Sequence, residues 1–528
     1  MKAREQPLIV SPAQMRAIDE HASSSAGIPL LALMESAGLA VATFVRDRLV
    51  ESQPGDRRVA VICGPGNNGG DGLVAARYLA DWAAAVPVYL LCRADALRGD
   101  ARVNYERLVK LGIRPTEVRS GADIPALDDV DMIVDAIYGT GFRAEIEGVD
   151  ARMIEVMNSS GADILSVDIP SGVNGDTGSV SATAARSKYA ITFGFAKKGQ
   201  FLYPGRSHIG QLVIADIGIP RDEYADALVR LREITPEFVN TSLLSRPPDG
   251  HKGTFGRALI VGGSAGMSGA IVLACRAALK MGLGLAYAAV PASLVDVVDA
   301  GSLETVVRPL SELRAKRAIA RRALGEAIAL SASCDAVAIG PGIGTHHETQ
   351  EFVRRLIARR TGPTVVDADG LNALAADMSS LSSESQVPLV LTPHVGEMAR
   401  LLGKDVAEVA RDREAAASEC ALRFGCVVVM KGAPTFVADP SGDVYLNTTG
   451  NSGMATGGSG DVLTGIIVSL MAQGVEPLRA ASCGVHLHGT AGDIVAHELG
   501  ERSLVASDIV TALPYAIKTL TSLAPTSS

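Results

Sequence analysis

The stretch VAVICGPGNNGGDGLVAARYLADW at residues 59–82 reads as an apolar run, a glycine-rich turn and a helical pattern, in that order. A strand that ends in such a turn and runs into a helix N-terminus converges backbone N–H groups on one point, where they suit phosphate or another anion. It is also the unit from which parallel α/β sheets are built. A second glycine turn of different design, NSGMATGGSGDVLTG at 451–465, ends in Gly-Ser-Gly-Asp ahead of another helical run. Asp461 stands there where a substrate group would meet the loop amides. Either loop alone is weak evidence. Two, with different acidic residues and different flanking strands, predict two nucleotide-type sites and two coupled reactions.

Composition agrees. A chain of 528 residues exceeds what one hydrophobic core usually supports, so at least two domains are expected. With 47% hydrophobic and 20% charged residues and 55 glycines, it has the balance of an Ala/Val/Gly-rich α/β enzyme. The net charge of −9 offers no general attraction to nucleic acid or to an anionic membrane, so an anionic ligand must be held locally. Seven cysteines, none in C-x-x-C spacing, read as reduced core thiols. The N-terminal segment has no sustained apolar run, and the apolar stretch 282–301 is interrupted by Pro291, Asp296 and Asp299. A cytoplasmic protein is expected.

Ser11, followed by Pro12 and Gln14, predicts a capped helix start, and GIPLLALMESAGLAVATFV predicts a second helix. Strands are predicted at 59–63, 86–91, 132–136, 164–168 and 190–193, alternating with helical or turn-rich segments. The segment Arg221–Thr241 reads as helical, and Ser245-Arg246-Pro247-Pro248-Asp249-Gly250 is the strongest breaker cluster in mid-chain. The alternation then restarts with ALIVGGS, CDAVAIGPGIG, PTVVDADGLN, PLVLTPHVGE and GCVVVMKGAPT. The division expected is 1–235 and 236–528. Four of the later strands end in polar or glycine turns, where open α/β sheets hold ligands. No internal repeat is evident.

In the first half, Asn67, Asn68, Asp71, Asp135 and Asp168 follow strand ends that a parallel sheet would bring together. Each aspartate alone could be a helix cap or turn residue. Asn68, Asp135 and the Ser171 hydroxyl form a hard-oxygen set suited to an alkali or alkaline-earth ion rather than zinc. In the second half, Asp461 at a helix start is placed for proton transfer on a substrate hydroxyl, against the plainer reading of an N-cap. The Lys431–Thr435 turn looks nucleotide-facing or is a proline turn, and His394 with Glu397 could orient a substrate and a metal-bound water or be ordinary loop residues. His486 and His488 read as a helical pair at i and i+2, which do not face each other, so a shared metal is disfavoured. Lys197 and Lys198 read as a solvated pair, with contact of one of them to a phosphate as the alternative.

These motifs, in order and along nearly the whole chain, resemble the bifunctional NAD(P)H-hydrate repair enzymes. MRAIDEHASSSAGIPLLALMESAG, GPGNNGGDGLVAARYL, VDAIYGTG, DIPSGVNGDTG and TFGFAKKG are similar to the epimerase domain. HKGTFGRALIVGGSAGMSGA, GPGIG, DADGLN, TPHVGE, KGAPT and NSGMATGGSGDVLTG are similar to the ribokinase-like dehydratase domain. The resemblance implies an α/β fold in two domains, an N-terminal Rossmann-like three-layer sandwich and a C-terminal ribokinase-like domain. The substrates it implies are NADH and NADPH hydrated on the nicotinamide ring (NADHX and NADPHX), epimerised between R and S forms and then dehydrated in the S form. By the resemblance, Asn67, Asn68, Gly69, Gly70 and Asp71, the turn of Gly139, Thr140, Gly141, Phe142, Arg143, Ala144 and Glu145, and Asp168 bind the hydrate. Asn68, Asp135 and Ser171 would hold potassium. Ala270, Gly344, His394 and Asp461 would contact the S epimer, with Lys431, Gly432, Ala433, Pro434, Thr435 and Gly460 around the adenine nucleotide.

Asp168 and Asp461 are the catalytic residues expected, with magnesium accompanying the nucleotide, ADP as phosphoryl donor (ATP the alternative) and a homo-oligomeric assembly. A small-molecule kinase carrying an N-terminal ligand-binding regulatory module is the rival reading. An NAD-dependent dehydrogenase is disfavoured because hydride transfer gives no reason for a kinase-like partner domain.

Overall fold

A computed structural model of the chain describes residues 6–49, 57–83, 85–142, 145–378, 381 and 387–522. Arg143 and Ala144 of the expected hydrate-binding turn lie outside them. The described residues form two compact units, one from Leu8 to Val229 and one from Arg230 onward that also takes in Gln6 and Pro7.

The first unit begins as its sequence predicts. Ser11 Oγ accepts from Gln14 N at 3.1 Å while Gln14 Oε1 accepts from Ser11 N at 2.8 Å, a reciprocal cap that starts the helix Pro12–Ser25. In chain order its strands are β1 (Ile9–Val10), β2 (Val59–Cys63), β3 (Val88–Leu90), β4 (Thr116–Glu117), β5 (Met132–Ala136), β6 (Asp163–Val167), β7 (Ser187–Phe193), β8 (Ala196–Lys197) and β9 (Ile209–Ala215). Seven of them form one sheet in the order β4-β3-β2-β5-β6-β7-β9, with every pair parallel. All five residues of β2 are buried, as expected for a strand covered on both faces. Val59, Val61 and Cys63 face the helices Leu30–Leu49 and Asn67–Leu79, while Ala60 and Ile62 face the side of Gly148–Ser159. Helices on both faces make three layers. Gly72 lets its helix lie close to the sheet, since a Cβ there would fall 2.5 Å from Ala136 Cβ.

The second unit carries β10 (Leu231–Glu233), β11 (Arg257–Val261), β12 (Leu285–Pro291), β13 (Val306–Leu310), β14 (Glu312–Leu313), β15 (Ala318–Ile319), β16 (Ala336–Ile339), β17 (Thr364–Val366), β18 (Leu389–Leu391), β19 (Val427–Met430), β20 (Thr435–Ala438) and β21 (Val444–Asn447). Ten of these form a sheet in the order β10-β21-β20-β19-β18-β17-β16-β11-β12-β13, parallel except where β20 runs against both its neighbours. The helices Ser268–Lys280 and Ser459–Ala472 pack tightly on one face. A Cβ at Gly465 would meet Ala274 O at 2.1 Å, and Ser469 Oγ donates to Ala278 O at 2.9 Å.

One expectation is corrected. Arg221–Thr241 is not one helix but two short ones, Glu223–Leu228 and Pro236–Ser242, separated by β10. The reason is local: Thr235 caps the second helix through Phe238 N, with Pro236 in its first turn, and Leu231–Glu233 finds a parallel partner in β21. All seven cysteines are free, and among the described residues no helix is long and apolar enough to cross a membrane.

Candidate active sites

In the first unit the chemistry gathers at the carboxyl ends of β2, β5, β6 and β7. Asn67–Leu79 begins directly after Gly66, with no side-chain cap on its first turn. The turn is tight: a Cβ at Gly64 would fall 2.0 Å from Ile137 O, and one at Gly69 would fall 2.0 Å from Gly64 O. Gly139 lies against Asn68, with Oδ1 3.0 Å from where a Cβ would stand. The helix start and the Gly139–Phe142 turn therefore meet. Phe142 packs on Tyr138 with ring centroids 4.6 Å apart. Glu145 accepts from Ser181 Oγ at 2.7 Å and Ala182 N at 3.2 Å.

Asp135 is wholly buried at the end of β5. It accepts from Ser171 Oγ at 2.6 Å, Ser171 N at 2.9 Å and Ser166 Oγ at 2.7 Å. Burial still pushes its carboxyl above the ordinary value, because these donors are neutral. Asn68 Nδ2 is buried without a hydrogen-bond partner.

Asp168 follows β6 with φ of 66°, a left-handed conformation that a non-glycine residue holds only when its surroundings fix it. Those surroundings are specific. Oδ1 accepts from Thr192 Oγ1 at 2.9 Å and pairs with Lys197 Nζ at 2.8 Å, Oδ2 accepts from Thr140 N at 3.3 Å, and Gln200 Nε2 donates to the Asp168 carbonyl at 2.7 Å. Burial opposes ionisation, but the Lys197 ammonium with these donors outweighs it and holds the carboxyl below its usual value. Two further carboxyls titrate the other way. Burial and the Asp168 charge push Asp71 well above the ordinary range, and burial, partly offset by Lys197, lifts Asp19 to about 6.

Lys197 therefore is no solvated residue: it is 2% exposed, and Nζ also donates to Thr192 Oγ1 at 2.8 Å and Phe193 O at 3.1 Å. The pairing of β1 with β8, Val10 opposite Lys197, buries it. Sequence reasoning missed Lys197 and Asp19. TFGFAKKG carried the signal, since an apolar run preceding the two lysines argues for burial of the first.

In the second unit the ends of β16–β19 face the start of Ser459–Ala472. Gly458, with φ of 92°, turns the chain into that helix, and Asp461 lies in its first turn. Burial and the neighbouring Asp367, opposed by Lys431, push the Asp461 carboxyl up to about 7. Asp367, also unforeseen as a site residue, is buried and accepts from Thr392 Oγ1 at 2.7 Å and Thr464 Oγ1 at 2.8 Å. Its ion pair with Lys431 Nζ at 2.8 Å overcomes the burial penalty and keeps it below the usual value. The next residue, Ala368, has φ of 51°.

Gly344 N donates to Asp369 Oδ2 at 3.2 Å, and Asp369 is among the charges that act on Asp461. A Cβ on Gly342 would come within 3.1 Å of Ala270, so Ala270 lies against the same Gly340–Gly344 turn. His394 caps Val395–Leu402, its Nδ1 accepting from Gly396 N at 3.0 Å and Glu397 N at 3.3 Å, which leaves Nε2 to carry the proton of the neutral ring. Lys431 does not point outward with its turn but inward to Asp367, with Glu397 Oε2 at 3.7 Å. The rest of that turn is clamped by Arg413, which donates to Ala433 O at 2.6 Å and Pro434 O at 2.8 Å, while Thr435 Oγ1 donates to Gly432 O at 2.9 Å. His488 contacts Ser459 Oγ through Nε2 at 3.2 Å, and burial lowers it to about 4. His486 makes no such contact, and among the described residues no cluster of three His, Cys, Asp or Glu could hold a metal.

Comparison with known proteins agrees with the residues. Residues 30–199 match the family described as YjeF-related protein N-terminus, and residues 258–515 match NAD(P)H-hydrate dehydratase. The bifunctional NAD(P)H-hydrate repair enzyme of Moorella thermoacetica is 44% identical over 97% of both chains, and that of Thermofilum pendens is 42% identical over 96% of this chain and 95% of its own. A crystal structure of the ADP/ATP-dependent NAD(P)H-hydrate dehydratase from Bacillus subtilis, co-crystallized with ATP/Mg2+, is 30% identical, covering 55% of this chain and 98% of that one with a TM-score of 0.47.

Proposed function

The chain belongs to the bifunctional NAD(P)H-hydrate repair enzymes, and we propose that its two strand-end clusters are the two centres of that repair, with Asp168 and Asp461 as their catalytic carboxylates. The protein epimerises hydrated NADH and NADPH and dehydrates the S form with an adenine nucleotide. We assign epimerisation to the unit Leu8–Val229 and dehydration to the unit from Arg230 onward, so that the boundary falls slightly before the expected division at 235/236.

The observation that carries the dehydratase assignment is Asp461 itself. A carboxyl raised to about 7 in the first turn of a helix, behind a glycine turn, is a base matched to neutral pH next to amides that suit phosphoryl oxygens. Hydroxide leaves poorly. In this reading Asp461 takes the proton of the ring hydroxyl as that oxygen attacks the terminal phosphorus of the nucleotide, and the bond from that phosphorus to the bridging oxygen breaks. Phosphate then departs in place of hydroxide, and loss of a proton from the neighbouring ring carbon restores the ring double bond. Ala270, Gly344 and His394 are assigned to the hydrate, and the Arg413-clamped turn Lys431–Thr435, with Gly460, to the nucleotide. We assign ADP as the donor, with AMP and phosphate as products. Magnesium would come with the nucleotide phosphates, which supply the oxygens it prefers.

For epimerisation, loss and return of the ring hydroxyl passes through a cationic ring. The Asp168 carboxylate, kept ionised by Lys197, is placed to stabilise that cation. Asn67–Asp71, the Gly139–Phe142 turn and Glu145 would surround the hydrate. A potassium ion fits the next layer: Asp135 is a buried carboxylate that pairs with no Lys or Arg among the described residues, and Asn68 and Ser171 add hard oxygens. Bound there, it would supply the missing counter-charge and fix the Asn68 turn. Seven free cysteines accord with the cytoplasm, and a homo-oligomer is the assembly we assign, to be read by sedimentation.

The test is to incubate pure protein with mixed R and S hydrates, magnesium and nucleotide while following the absorbance of regenerated NADH. Complete conversion of both epimers is expected. Conversion of the S form alone would remove the epimerase, and a stable phosphorylated product without NADH would make the second unit a kinase.

A further inference from the structure

Among the described residues, Asp367 is the most deeply held charge of the second unit, 1% exposed at the end of β17. Thr392 fixes Oδ1 from the end of the neighbouring strand, and Thr464 fixes Oδ2 from the helix that presents Asp461. Lys431 Nζ completes the set at 2.8 Å from Oδ1. A Cβ on Gly460 would stand 3.4 Å from that Nζ and 3.7 Å from Asp367 Oδ2, so the ion pair lies directly against the residue preceding Asp461.

Phosphoryl transfer asks two opposed things of this spot. Phosphoryl oxygens are stabilised by a cation, whereas a base beside an uncompensated cation loses its affinity for a proton. Resting on the reading of Asp461 given above, we propose that Asp367 is a positioning residue that reconciles them: its carboxylate holds the Lys431 ammonium beneath the glycine turn and offsets its field at Asp461, so that the remaining N–H groups of Lys431 can meet a phosphoryl group while Asp461 remains an effective base. The other groups facing this pair are Asp369, toward Asp461, and Glu397, toward Lys431, with His394 on Glu397. His488, on Ser459, stays neutral through burial and adds no charge.

The test is the pH dependence of kcat for dehydration in the full chain, for Asp367→Asn, Lys431→Met and the double variant. Asp367→Asn leaves the ammonium uncompensated and should move the acid limb down by about one pH unit or more, with kcat above the limb reduced. Lys431→Met should move it up by a similar amount. The double variant should return the limb toward its original position with kcat still low, because the ammonium is gone. Limbs displaced in the same direction, or unmoved while kcat follows the folded fraction, would overturn the proposal. If Asp367→Asn fails to fold, Lys431→Met against the double variant decides: a limb displaced in the first and restored in the second supports it, and the same limb in both defeats it. Undiminished dehydration by Asp461→Asn is a separate outcome that would instead defeat the underlying reading.

Discussion

Lys197→Met probes the first unit at its most charged point. It deletes one charge of a pair almost wholly out of water, Lys197 being 2% and Asp168 8% exposed, with the charged atoms 2.8 Å apart. Removing one partner of a buried pair costs about 3–5 kcal/mol, because the other charge stays buried without compensation. For a unit of this size each kcal/mol moves the midpoint about 2–4 °C, so melting about 6–20 °C lower is expected at neutral pH. The pH dependence should also change sign. In the parent the Asp168 carboxyl is held below its ordinary value, so its contribution is present above the unfolded pKa near 4 and is lost as pH falls through the folded value. In the variant, burial is opposed only by the Thr192 and Thr140 hydrogen bonds and lifts the carboxyl, so stability is recovered as pH falls toward that lifted value. Calorimetry of the full chain from pH 5 to 8 should therefore show the gap between parent and variant narrowing toward acid. Asp168→Asn in the Lys197→Met background should restore most of the midpoint while epimerisation stays lost. A gap of constant width, or no recovery in the double variant, would mean that Lys197 acts through the packing of its stem rather than its charge.

Asp461→Asn should lower dehydration ~100-fold or more while leaving epimerisation intact, measured on separated R and S hydrates. In the parent, only the ionised carboxyl can take the proton, so dehydration should fall about tenfold per pH unit below about 7, and a flat profile from pH 5 to 8 would place the base elsewhere. Asp135→Asn should abolish any dependence of epimerisation on potassium, and anomalous scattering from rubidium should vanish between residues 68, 135 and 171; an ion retained there would refute the assignment. With contaminating nucleotides removed enzymatically, initial rates at equal magnesium should be higher with ADP than with ATP, and the reverse order would overturn the donor while leaving the dehydratase standing.

The strands and the two glycine turns were legible because their signals are local. An apolar run of five followed by glycines at 64, 66, 69 and 70 leaves few alternatives, and the Ser11–Gln14 cap is contained in four residues. What escaped was decided by partners distant in sequence. Lys197 and Lys198 look alike in a sequence window, and only the pairing of β8 with β1 buries the first of them. DADGLN offers two aspartates, and which of them faces Lys431 depends on Ala368, whose left-handed φ no propensity predicts. The strand β10 was hidden for the same reason: three residues with no periodicity to read become a strand because β21 offers an edge. His394 was foreseen as a site residue, whereas its role as a helix cap depends on the ring nitrogen accepting two backbone N–H groups.

The strand β10 bears on where the chain can be divided. Glu233 N donates to Pro7 O at 2.9 Å, so the residues just before Leu8 and those just after Val229 are knit to each other inside the second unit. The first unit is thus an insertion rather than a leading domain. A single cut between Thr235 and Pro236 would strip Leu231–Glu233 from β21, expose an unpaired edge prone to aggregation, and pull Leu231 and Ile234, 5% and 1% exposed, into water. Excising residues 8–229 whole and joining Pro7 to Arg230 would leave every strand of the ten-stranded sheet in place.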